Sequence, residues 1–135
     1  MIESDLAAIQ RLLSDFAWYA DRGDGTAMAE LFVAEGVFCV GGQTLKGRVQ
    51  IADDCHRRFQ NPQRKTRHVW SNLRVDPQHD GTIAGTAIQL TFEQSGTDNS
   101  TQVRVNDLID SFTRDSQGAW RFMSRTIERQ MALVL

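Results

Sequence analysis

The sequence predicts an α+β fold in which three helices precede a curled antiparallel sheet and close its concave face. Two observations carry this expectation. From Ser4 to Phe59, apolar residues recur at spacings of three and four, the period of a helix with one buried stripe, interrupted only by a glycine-marked hairpin. From Arg64 onward the period becomes two, in four long runs joined by short polar turns, which gives a meander that curls because sheets twist. At 135 residues, 41% hydrophobic and 24% charged, the chain fits a single domain over residues 1–135. It has no internal repeat, linker or low-complexity segment.

Ser4 is positioned to cap a first helix whose apolar stripe is Leu6, Ile9, Leu13, Phe16, Ala17 and Ala20, and Gly23 can end it in the left-handed conformation. Asp24 can cap a shorter second helix, with Ala27, Met28, Leu31 and Phe32 on its buried side. Gly36 to Val40 and Gln43 to Lys46 read as hairpin strands around Gly41-Gly42, a pair that permits the positive φ of a tight turn. A third helix follows Gly47, buries Ile51, Ala52, Cys55 and Phe59, and stops before Pro62. The long strands are expected at Arg64–Asp76, Thr82–Gln94, Thr101–Arg114 and Ala119–Met131. On the first of these, Thr66, His68, Trp70 and Asn72 share one face, while Arg67, Val69, Ser71, Leu73 and Val75 share the other.

Composition excludes several classes of function. The net charge is −2 with basic residues scattered, so neither a nucleic-acid groove nor an anionic membrane surface is indicated. The acidic start Met1-Ile2-Glu3-Ser4-Asp5 lacks a basic leader segment, and no apolar run approaches the ~20 residues that span a bilayer. A cytoplasmic location is expected. Cys39 and Cys55 form no CxxC pair, and the three histidines show no ligand spacing, so no metal and no cofactor is expected. No glycine-rich loop follows a strand, so nucleotide binding has no support.

Two polar residues stand in costly places. His68 lies beside an aromatic on a face that suits a pocket lining, or it is a core histidine satisfied by a neighbour. Asp21 falls on the inward stripe of the first helix near its carboxyl end, where the helix dipole and burial both oppose a negative charge, unless it hangs into solvent. Asn106, Leu108, Asp110 and Phe112 share a face of the third long strand, so Asp110 is either a pocket acid or the partner of an arginine such as Arg125 or Arg129. Glu93 and Asp107 are expected at the rim or in solvent, and His56 and His79 are expected to be exposed. Phe32, Phe38, Phe59, Trp120 and Phe122 read as core.

The order helix, helix, hairpin, helix, meander, with Ala20-Asp21-Arg22-Gly23-Asp24, Thr66-Arg67-His68, Gly118-Ala119-Trp120-Arg121-Phe122 and Arg125, resembles the SnoaL-like branch of the nuclear-transport-factor-2-like superfamily. The resemblance covers nearly the whole chain and implies a cone-shaped sheet, an α+β barrel. Within the superfamily the pattern is most similar to scytalone dehydratase and hexachlorocyclohexane dehydrochlorinase. Those enzymes place an aspartate at the end of the first helix and a histidine at the start of the first long strand, matching Asp21 and His68. Other marks differ. The orienting tyrosines of the dehydratase fall on Ala20 and near Val40, its second pocket histidine on or near Glu93, and the lysine of the dehydrochlorinase on Phe16.

The resemblance therefore implies a cofactor-independent lyase or isomerase acting on a small apolar carbonyl or cyclic substrate, with His68 as base and Asp21 as its partner. The two are expected within hydrogen-bond reach of each other and lining one cavity. Phe16, Val40, Trp70, Asn72, Asn106 and Asp110 are the candidate substrate-binding residues. The alternatives are a non-catalytic binder of a small apolar molecule and a structural β subunit of a ring-hydroxylating dioxygenase. A homo-oligomer, dimer or trimer, is expected because Val69, Leu73 and Val75 are assigned to the outer face of the sheet.

Overall fold

A computed structural model describes residues 1–135. The elements in chain order are α1 (Glu3–Arg22), α2 (Gly25–Glu30), β1 (Phe32–Val40), β2 (Gln43–Lys46), α3 (Gly47–Arg58), β3 (Lys65–Pro77), β4 (Ile83–Gln94), β5 (Gln102–Arg114) and β6 (Trp120–Val134). The strands form one open sheet in the order β2-β1-β6-β5-β4-β3. The fold is the expected α+β cone, a curled and unclosed sheet with three helices.

Besides an earlier start of β1, at Phe32, which was expected on the buried side of the second helix, four details depart from the expectations. The cap of α1 is Ile2 rather than Ser4, because Asp5 reaches back to accept the Ile2 N–H at 3.1 Å. The sheet is not wholly antiparallel, since β1 runs parallel to β6 and carries the hairpin as the far edge. Phe59, expected in the core, is 48% exposed. It nevertheless covers Gly23, whose φ of 71° ends α1 and where a Cβ would meet the Phe59 ring.

The fourth departure lies on β3. Register shifts between Ser71 and Arg74, and Asn72 takes a φ of 57°, which inserts one extra residue. A bulge reverses the alternation beyond it. Leu73 and Val75, assigned to the outer face, instead pack against the core beneath the helices.

The core lies between α1 and the concave face. Phe16, Phe32, Phe38 and Phe122 pack with ring centroids 5.0–6.4 Å apart, mostly edge-on or tilted. Each such pair adds about 0.5–1.5 kcal/mol beyond area burial. Asp5 also accepts from Trp120 Nε1 at 3.0 Å and from Arg114 at 2.8 Å, which ties the start of α1 to the turn between β5 and β6. With both ends of α1 fixed, its last turn is held over β3. No helix is long and apolar enough to cross a membrane.

Candidate active site

Asp21 is in the last turn of α1, and its carboxylate crosses to β3. Oδ1 lies 2.5 Å from His68 Nδ1 and accepts Thr66 Oγ1–H at 3.0 Å, while Oδ2 accepts the His68 backbone N–H at 3.0 Å. Burial opposes ionisation of Asp21, but the hydrogen bonds from the His68 ring and backbone and from Thr66 outweigh it. They hold the carboxyl below its ordinary value. An ionised carboxylate only accepts, so in the neutral ring Nδ1 carries the proton and Nε2 keeps its lone pair.

His68 lines a cavity of about 680 Å³ beneath the helices. Asp21 is not among the lining residues. The two were expected to share the cavity wall; the carboxylate instead stands behind the imidazole and sets its orientation.

The other candidates divide. Phe16, Val40 and Asn106 line the cavity, together with Ala20. Trp70 does not: its Nε1 donates to Ser14 Oγ at 3.0 Å and its ring rests against the core. Asn72 is at the bulge, exposed, and accepts from Ser71 Oγ. Asp110 is an arginine partner and not a pocket acid. Arg125 grips it at 2.9 and 3.2 Å, and the guanidinium stacks over Phe16 and Phe122 at 4.4 and 4.7 Å. Burial pushes the Asp110 carboxyl above its ordinary value, opposed by the Arg125 charge.

The sequence reading missed much of the lining. Gln89 and Thr91 on β4, Arg104 on β5 and Arg129 on β6 face the cavity, as do Asp54, Arg58 and Arg64 near the end of α3. Glu93, expected at the rim or in solvent, is part of the wall between Arg104 and Arg64, and those two arginines overcome its burial and lower its carboxyl. A signal was present. Gln89, Thr91 and Glu93 alternate on the strand that pairs with Asn106, and Arg104 is two residues from Asn106 on the same face. Cys55 also lines the cavity, but burial and the nearby Asp54 and Asp24 charges push its thiol up to about 11, so it is a protonated thiol at neutral pH. Seven of the nineteen lining residues are hydrophobic, so the wall is mostly polar. No group of three or more His, Cys, Asp or Glu side chains converges as a metal ligand set.

A family model described as a SnoaL-like domain matches residues 3–126. The chain belongs to the SnoaL-like family. Among solved structures, this SnoaL-like chain is similar to a type 2 hexachlorocyclohexane dehydrochlorinase, with 20% identity over 98% of this chain and 89% of that one and a TM-score of 0.87. It is similar to a Novosphingobium aromaticivorans protein assigned provisionally as a scytalone dehydratase, with 18% identity, 96% and 87% coverage and a TM-score of 0.84. ActVI-ORFA of Streptomyces coelicolor gives 19% identity, 96% and 97% coverage and a TM-score of 0.83. At these identities the likeness is one of fold. No curated protein matches the sequence.

Proposed function

We propose that this SnoaL-like protein is a cofactor-independent lyase or isomerase that begins by removing a proton from an activated carbon. The observation that carries the reading is the Asp21–His68 contact, which leaves Nε2 as a base on the cavity side. In the proposed step Nε2 takes the proton and the C–H electron pair moves into the adjacent carbonyl as an enolate. That pair then expels a β leaving group, or the imidazolium returns its proton at another carbon. Asp21 stabilises the imidazolium, and the buried amides of Gln89 and Asn106 are available as donors to the enolate oxygen. General-base action of this kind supplies ~10²–10⁴-fold.

Solvent exchange tests it without knowledge of the product. Small cyclic carbonyl compounds incubated in D₂O should gain deuterium at the activated carbon in the presence of the protein. His68→Gln, which keeps volume but removes the base, should slow this by ~10²-fold or more with little change in ligand affinity. Wild-type exchange no faster than that of His68→Gln would sink the reading.

A second reading has its own support. Phe16, Ala20 and Val40 put apolar side chains on the cavity wall, and a wall of that kind suits a binder that performs no reaction. In that case ligand affinity would fall in the variants and no exchange would be seen with either protein.

A further inference from the structure

The charges around the cavity do not balance. Four guanidiniums border it, those of Arg58, Arg64, Arg104 and Arg129, against the two carboxylates of Asp54 and Glu93. Asp54 is also claimed by Arg57 outside the cavity. Glu93 is shared between Arg104 at 2.9 Å and Arg64 at 3.2 Å, and Arg129 faces the cavity with no carboxylate paired to it. The whole chain carries a net charge of −2, so this surplus of positive charge is a local reversal. The side chains of Arg104 and Arg64 are only 14% and 19% exposed. Charge held that far from water is weakly screened, the exposed Arg129 adds a charge that salt can screen, and an excess of one sign draws in the opposite sign.

The sheet register shows where the excess lies relative to the base. His68 is opposite Thr91, and Thr91 is opposite Arg104, so the histidine and Arg104 share one row across three strands. Their backbones are two interstrand spacings apart, roughly 10 Å. The adjoining row runs Gln89, Asn106, Arg129. Gln89 and Asn106 are 2% and 5% exposed, and no side-chain hydrogen bond ties either amide to the rest of the chain. Between His68 on β3 and Arg104 on β5 the sheet presents Thr91 and Gln89 of β4, while Phe16, Phe38, Val40 and Ile127 give the same cavity an apolar portion toward α1, β1 and β6. Across the sheet the order is base, neutral donors, then cations.

We propose that the substrate is a small ring-bearing carboxylate, held by Arg104 and Arg129 at the end remote from His68. The assignment rests on the cavity being the substrate site of the reaction above. A carboxylate suits a planar guanidinium fork, which can bind both of its oxygens, and Arg129 has no side-chain partner to compete for its own. Arg104, whose Nη1 and Nη2 already donate to Gln102 Oε1 at 2.8 Å and Glu93 Oε1 at 2.9 Å, adds its charge beside that fork. It must be remote from the reacting carbon, because a second negative charge beside a forming enolate would oppose proton removal. The two interstrand spacings between His68 and Arg104 leave about one ring of space for that separation.

Benzoate and cyclohexanecarboxylate, titrated against their primary amides by calorimetry, test the charge while holding shape constant. The acids should bind wild-type protein about tenfold or more tightly than the amides, with the preference shrinking as salt is added. Arg104→Gln and Arg129→Gln should each remove most of that preference. Arg129 is exposed and unpaired, so its variant should keep the wild-type melting temperature even if Arg104→Gln does not. His68→Gln should retain the preference, which separates this proposal from the base assignment: loss of exchange with retained preference supports both, and exchange without preference sinks only the carboxylate. Equal affinity for acid and amide, or no saturable binding of the acid up to about 10 mM, overturns it. Displacement of benzoate by an equal concentration of inorganic phosphate would also overturn it, by marking a general oxyanion site.

Discussion

Asp21 sits where the helix dipole and burial both oppose a negative charge, yet three hydrogen bonds keep its carboxyl below the ordinary carboxylate range. A depressed folded-state value contributes stability that is present above the unfolded value of about 3.9 and is lost as pH falls through the lower folded value. Asp21→Asn should therefore be about 1–3 kcal/mol less stable at neutral pH, because an amide cannot accept from all three donors. Its stability should also fall less than that of the wild type on acidification below about pH 5. Denaturant melts of both proteins from pH 7 to the acid limb measure this, and parallel curves would contradict it. The Asp21–His68 pairing was legible because each residue broke the apolar pattern of its own element. Asp110 also broke its pattern, but sequence alone could not say that Arg125 would be registered beside it on β6.

The bulge on β3 shows what period-two reading cannot see at the scale of an element. Alternation placed Leu73 and Val75 outside, and the extra residue at Asn72 turned them in. Asparagine tolerates the left-handed region, but nothing in the run Trp70-Ser71-Asn72-Leu73 announces that it adopts it. The basis for expecting an oligomer moves accordingly. Val69, Leu90, Val105 and Met131 are registered as one row across β3, β4, β5 and β6, on the face away from the helices, with Val69 and Met131 50% and 60% exposed. An apolar row across four strands is poorly placed in water, and we propose that it pairs with a second copy. Purified protein should sediment as a dimer or larger at micromolar concentration, and Leu90→Arg should shift it toward monomer. A wild-type monomer under those conditions would contradict the assignment.

At the scale of the whole molecule, element order and the limits of the long strands were readable because helices and strands leave different periods, and the glycines at 23, 41, 42 and 47 mark where they change; the start of β1 at Phe32 was not, because Leu31 and Phe32 also fit the stripe of the second helix. The parallel β1–β6 junction was not readable, since pairing between residues about ninety positions apart depends on the curled shape rather than on local pattern. The charge of the cavity was hidden for the same reason. Arg58, Arg64, Arg104 and Arg129 are scattered along the sequence and converge only when the sheet curls. The fold thus brings cations from α3, β5 and β6 and the segment before β3 to one space whose base is held by α1.

The proposed base depends on Asp21 fixing the proton of the neutral ring on His68 Nδ1, so that Nε2 is bare toward the cavity. Nitrogen-15 chemical shifts and two-bond proton couplings of the His68 ring, recorded where the imidazole is neutral, read the tautomer directly. The expected result is a protonated Nδ1 with an unprotonated Nε2, and loss of that preference in Asp21→Asn. A neutral ring protonated at Nε2 in the wild-type protein would contradict the account, because the base would then face Asp21 rather than the substrate.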